Sequence, residues 1–237
     1  MTLDRDAFLA AVTASGRLSA AYAEDLLVRL AHHSAAIEGN TFTISETVTL
    51  LVDELLPRGG LSVREFYELA NHRGAVVRIV QAVDADEPLT DQLVRELHML
   101  LMDHLLHDRG EYKQSSNAVV GASWRPTPPH RVPELMRQWA EQSDWQARHL
   151  TGVDRLEAIA QSHIGFERIH PFSDGNGRVG RAVLALQTLQ AYGVPAIVPE
   201  SERSEYLRLL DDADAGGFAQ MLSVHLTAET ERAARFG

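Results

Sequence analysis

An all-α fold with one small β element is what this sequence of 237 residues predicts, and three observations carry the prediction. Apolar residues recur at three- and four-residue spacing through most of the chain. Glycine or proline ends most of these runs. One stretch, 110–131, breaks the pattern, punctuated by Gly110, Gly121, Pro126, Pro128 and Pro129.

In order, Ala20 to Ile37 carries Leu26, Leu27, Leu30 and Ser34 on one helical face and stops at Gly39. A helix over Ser45 to Leu56 ends at Pro57-Arg58-Gly59-Gly60. Ser62-x-x-Glu65 reads as a capping box that opens a long helix through Val83. Thr90 to Leu106 follows, with Leu93, Leu97, Leu100, Leu101 and Leu105 on a broad face. Within 110–131, Ala118-Val119-Val120 reads as a short strand in a hairpin-like flap. Helices resume over Pro133 to Trp145 and Asp154 to Ile169. A polar, glycine-rich turn covers 170 to 177, then a helix runs to about Tyr192. After Pro195 and Pro199, two more start near Ser201 and Phe218.

Composition narrows the function. Lys+Arg 22 against Asp+Glu 33 leave a net charge of -11, which disfavours non-specific nucleic-acid binding. The chain has no cysteine, which excludes disulfides, thiolate metal sites and a cysteine nucleophile. The opening residues MTLDRDAFLAAV lack the basic start of a signal peptide, and no run is long enough for a membrane helix, so a cytoplasmic protein is expected. The chain stops at Gly237 soon after its last helix, and no DNA-binding arm is expected.

The chemistry concentrates in His170-Pro171-Phe172-Ser173-Asp174-Gly175-Asn176-Gly177-Arg178-Val179-Gly180-Arg181. Gly175, Asn176 and Gly177 tolerate unusual backbone angles just before a helix, where outward N–H groups bind anions. Arg178 and Arg181 lie one turn apart beside that nest and suit a polyphosphate. Asp174 is a hard oxygen ligand placed to hold Mg²⁺ against phosphates. His170 is the group here able to accept a proton near neutral pH. Gly180 sits inside a helix at a cost of about 1 kcal/mol relative to alanine, which close approach of another helix would explain. His163, and His32, His33, His98, His104 and His107 on helical periods, read as surface or satisfied core residues.

The whole segment matches the Fic signature H-x-F-x-(D/E)-G-N-G-R-x-x-R, and the chain resembles that family from about residue 30 to 225. The resemblance implies an all-α Fic-type helical bundle with a small β-hairpin flap. His170 would be the general base, Asp174 the Mg²⁺ ligand, and Gly175, Asn176, Gly177, Arg178 and Arg181 the nucleotide-binding set. Phe172 would anchor the turn. Ser34-Ala35-Ala36-Ile37-Glu38-Gly39 is similar to the family's inhibitory motif (S/T)-x-x-x-E-(G/N). By that likeness Ser34 and Glu38 lie in N-terminal helices (1–60) that act on a core of 61–237, and Glu38 pairs with Arg181. This is the class II arrangement, with the inhibitor in the same chain. Asn117, Ala118, Val119, Val120 and Gly121 would form the flap that docks a target segment by strand addition. Gly110-Glu111-Tyr112-Lys113 resembles a segment usually ending in arginine, from which Lys113 departs. Arg203-Ser204-Glu205-Tyr206 resembles the region whose aromatic residue lines the adenine pocket, which puts Tyr206 against the base.

The resemblance therefore implies a protein adenylyltransferase that moves AMP from ATP, with Mg²⁺, to a Tyr, Thr or Ser hydroxyl of a target protein or of itself. Removal of AMP, transfer of another group such as UMP, and a non-catalytic nucleotide-binding module stay open, as does a homo-oligomer. No nucleic acid or membrane is expected as partner.

Overall fold

A computed structural model describes residues 4–57, 62–119 and 121–236. Arg58, Gly59 and Gly60 of the expected break, Val120 of the flap, and Gly237 lie outside them. The elements are α1 (Arg5–Thr13), α2 (Ala20–Ile37), α3 (Ile44–Leu51), α4 (Val63–Ala70), α5 (His72–Asp84), α6 (Asp91–Leu101), α7 (Val132–His149), α8 (Gly152–Ile169), α9 (Asn176–Tyr192), α10 (Arg203–Asp212) and α11 (Ala215–Ala233). Short 3₁₀ turns precede α7 and α10. Among the described residues no helix is long and apolar enough to cross a membrane.

α9 is the axis of the molecule. Val179, Ala182, Val183, Leu186 and Leu189 are buried in the main core with residues of α2, α5 and α6. Leu184, on another side of the same helix, belongs to a second cluster with Ile159 and Ile164 of α8, Tyr206 of α10 and Phe218 of α11. A helix apolar around most of its surface is expected at the centre of a bundle.

Several sequence expectations are corrected. The long helix from Ser62 is two helices, because Asn71 turns its side chain onto the Leu101 and Asp103 carbonyls, at 2.9 and 2.8 Å. The box at Ser62 is half formed. Ser62 caps Glu65, but the Glu65 carboxylate accepts from the backbone and hydroxyl of Thr41 instead of returning to Ser62. A complete box stands at Thr43 and Glu46, opening α3. α6 ends at Leu101, short of the expected Leu106. The expected β-hairpin flap is not seen: no strand occurs among the described residues, and Val120 lies outside them. A hairpin needs a second segment offering alternating donors and acceptors. The chain after Ala118-Val119 instead turns at once, with Ala122 N–H on the Val119 carbonyl, and then meets three prolines.

Candidate functional site

α8 ends at His170, which holds a left-handed conformation (φ 51°, ψ 61°) and so turns the chain sharply into 171–175. His98 of α6 braces this turn. Its ring stacks on Phe172 with centroids 3.7 Å apart. Its Nδ1 accepts from Gly110 N–H at 2.8 Å, so Nε2 carries the proton and donates to the Asp174 carbonyl at 3.1 Å. Burial lowers the His98 pKa to about 4, which keeps this neutral tautomer. Asn176 closes the loop from inside, accepting from Phe172 N–H and donating to the Phe172 carbonyl. Its side chain is thus a brace, and only its backbone is left for an anion. Gly175 also has a left-handed conformation (φ 79°), and a Cβ there would lie 2.4 Å from Met102 Sδ.

α9 begins without a side-chain cap. The N–H groups of its first turn therefore lack partners within the helix and present the positive end of its dipole. Glu38, the C-cap of α2, reaches across to this point. Its Oε1 lies 2.7 Å from Arg181 Nη2. The same oxygen sits where a side chain on Gly177 would begin, 2.3 Å from that Cβ position. Burial pushes the Glu38 pKa up, Arg181 more than offsets this, and the net shift is downward. Ser34 completes the clamp, accepting from Arg181 Nε on its hydroxyl and from Nη2 on its carbonyl.

Glu38, Gly177 and Arg181 line one cavity of about 390 Å³ together with His170, Trp124, Arg203 and Tyr206. His170 Nδ1 donates to the Glu167 carbonyl at 3.3 Å, leaving Nε2 as the free acceptor. Burial lowers its pKa to about 4, so it is neutral at pH 7. Val119, Gly121 and Ala122 line the cavity too, so the segment expected to be a flap does lie beside the site. It is held there by Asn117, whose Nδ2 donates to the Phe172 carbonyl and whose Oδ1 accepts from Lys113 Nζ. Tyr206 presents its ring to the wall but is 1% exposed, and its hydroxyl is engaged with His163 Nε2 at 2.8 Å.

Arg178 is not brought to the cavity lining. It is buried between Glu68 Oε1 at 3.5 Å and Asp174 Oδ1 at 3.8 Å. Asp174 is half exposed and accepts from Arg64 Nη2 at 2.9 Å. A lone carboxylate beside an anion nest fits Mg²⁺, which commonly takes one or two protein carboxylates and completes its shell from phosphates and water. Among the described residues no group of three or more His, Asp or Glu is poised to hold a metal unaided.

His98 is the satisfied core histidine that the sequence allows, while sequence reading missed Arg64, Glu68, Trp124 and Glu167. Only Glu167 carried a signal, its place one turn before His170. It also answers the question posed by Gly180. A Cβ on that glycine would lie 2.1 Å from Glu167 Oε1 and 3.1 Å from Phe166 Cδ1.

Comparison with known proteins bears on the family and the fold. Residues 88–188 match the Fic/DOC family. Proteins called protein adenylyltransferase Fic are 28% identical to the chain over 197 residues in Drosophila erecta and over 224 in Drosophila melanogaster. The matches cover 81% and 92% of this chain but 39% and 44% of theirs, so the chain spans less than half the length of the curated relatives it matches. A Fic domain containing signaling protein from Bacteroides thetaiotaomicron shares the fold at TM-score 0.81 and 24% identity, over 98% of this chain and 97% of that one. Fic-1 from C. elegans gives 0.76 at 24%, over 98% and 69%.

Proposed function

From a chain whose residues 88–188 form a Fic/DOC family domain, we infer a protein adenylyltransferase held inactive by its own Glu38. The observation that carries this reading is a carboxylate lodged in an anion site: Glu38 sits over Gly177 and on Arg181 at the uncapped start of α9. A site that holds one anion from its own chain can hold another, and the likeness to proteins called protein adenylyltransferase makes a nucleoside triphosphate the occupant proposed.

In the active state Glu38 gives way and Arg181 receives the terminal phosphates. The first-turn N–H groups of α9 hold the phosphate nearest the reacting centre, and Arg178 balances Asp174 beneath them. Mg²⁺ held by Asp174 would supply charge neutralisation for the phosphates. A Tyr, Thr or Ser hydroxyl of a target segment lying along 117–122 meets His170. Its oxygen bonds to the α-phosphorus, its proton passes to His170 Nε2, and the bond to the bridging oxygen breaks so that pyrophosphate leaves. The helices within 1–60 act as the inhibitory unit on the core of 61–237.

The test is labelling with α-phosphate-labelled ATP and Mg²⁺ for wild type, Glu38→Gly and Glu38→Gly/His170→Ala. Label rising on Glu38→Gly and vanishing in the double variant supports the reading. Nucleotide binding with no label on any of the three overturns it in favour of a binding module.

A further inference from the structure

Of the two cavity carboxyls that the reaction above does not use, Asp211 accepts from Ser123 N–H at 2.7 Å, and the other is Glu167. It is 6% exposed. Its Oε1 is sealed from solvent and has no hydrogen-bond partner. The slot it occupies exists because Gly180 has no side chain. Its neighbours cannot satisfy it. His163 Nδ1 donates to the Gly180 carbonyl at 3.1 Å, so Nε2 is an acceptor, already engaged by the Tyr206 hydroxyl. That Nε2 lies 4.0 Å from Glu167 Oε1 with no proton to offer.

The charged and titratable groups facing Glu167 are Arg181 from α9 and Glu38 from α2 across the cavity, Tyr206 from α10, and His163 on its own helix. Arg203 also lines the cavity and donates to the Ile37 carbonyl, so Arg181 is the cation that acts on Glu167, and Glu38 holds it. Burial and the nearby Glu38 charge raise the Glu167 pKa to about 8, against the pull of Arg181. With Glu38 in place, Glu167 is therefore mostly protonated at pH 7.

We propose that Glu167 is the reserve counter-ion of Arg181, neutral while Glu38 or a phosphate holds the guanidinium and ionised when neither does. Arg181 is buried, and a buried cation without a partner is costly. When Glu38 leaves, Glu167 gives its proton to water through the cavity and its carboxylate turns to Arg181, holding the guanidinium in place. An arriving polyphosphate reverses the exchange, and one proton is taken up. Glu167 is thus a positioning residue, and the exchange requires only that Arg181 bind anions, the part of the proposed function it rests on.

The experiment is infrared spectroscopy of the full chain at pH 7, reading the C=O stretch of a protonated carboxyl against Glu167→Gln as reference. A band is expected in wild type. It should be lost in Glu38→Gln, and inorganic pyrophosphate should restore it there. No band in wild type, or a band unchanged by Glu38→Gln, overturns the proposal. If Glu167→Gln does not fold, Glu167→Asp serves as reference, displacing the band instead of removing it. The readout is separate from AMP transfer. Labelling without these changes would defeat the counter-ion and leave the enzyme, and the changes without labelling would do the reverse.

Discussion

Replacing Glu38 by glycine should weaken the fold while freeing the site. Removing one member of a buried ion pair costs about 3–5 kcal/mol, and breaking an exposed pair about 0.2–1 kcal/mol. The Glu38–Arg181 pair lies between these limits, since the arginine side chain is 7% exposed and the glutamate 40%. Arg181 also keeps its two bonds to Ser34. A loss of about 1–3 kcal/mol follows, reduced by about 0.3–1 kcal/mol because an anion leaves the negative end of α2. The net is about 1–2 kcal/mol, or a melting temperature lower by about 2–8 °C for a chain of this size. Mg-ATP at a hundred times its Kd should return about 2.7 kcal/mol to the variant. Wild type should gain less, because nucleotide must first displace Glu38. Thermal unfolding of both proteins with and without Mg-ATP measures all four quantities. A variant as stable as wild type without nucleotide, and shifted equally by it, would refute the claim that Glu38 and nucleotide compete for Arg181.

Acid should unfold the protein early. Burial depresses His72 and His163 to about 3 and His33, His98 and His170 to about 4. Unfolded histidines titrate near 6.5, so this stability is complete above about pH 6.5 and is lost as pH falls toward 4. Urea midpoints at pH 7 and pH 5 test it, and equal midpoints would count against it. Arg64→Ala should tighten Mg²⁺ binding in the presence of ATP about 1.5- to 5-fold, since Mg²⁺ no longer displaces a half-exposed ion pair from Asp174. Titration with the metal reads the change, and weaker binding would refute it. Gly175→Ala should cost about 2–5 kcal/mol, from a left-handed residue and a Cβ 2.4 Å from Met102 Sδ. A variant with an unshifted denaturation midpoint would show that the turn yields more easily than its packing implies.

Much of the site was legible because its parts are contiguous. His170 to Arg181 is one turn and the start of one helix, so spacing alone places the groups together. Glu38 lies 143 positions from Arg181, and no local pattern links them. It was reached through a motif, and its geometry bears out the expected pairing. The hairpin is not seen because a short apolar run between glycine and proline breaks gives a strand's composition and not its partner; among the described residues no strand lies beside Val119. Arg178 was placed with Arg181 because helical spacing puts them on one face. It turns away because Glu68, from a distant helix, offers a buried carboxylate on the other side.

Gly180 shows where the sequence stops being informative. A glycine inside a helix announces a neighbour at close range, and the expectation of a helix packing there was correct, for α8 does so. The sequence could not say that the neighbour's atom is a carboxyl oxygen. Phe166 alone would have justified the glycine as packing. Glu167 makes the same glycine electrostatic, because the missing side chain leaves a buried slot for an acid whose pKa burial raises against the pull of Arg181. Its meaning depends on four elements, α2, α8, α9 and α10, meeting at one point. No pattern along the chain encodes that meeting, which is why a residue only one turn before the signature has a role that requires the fold.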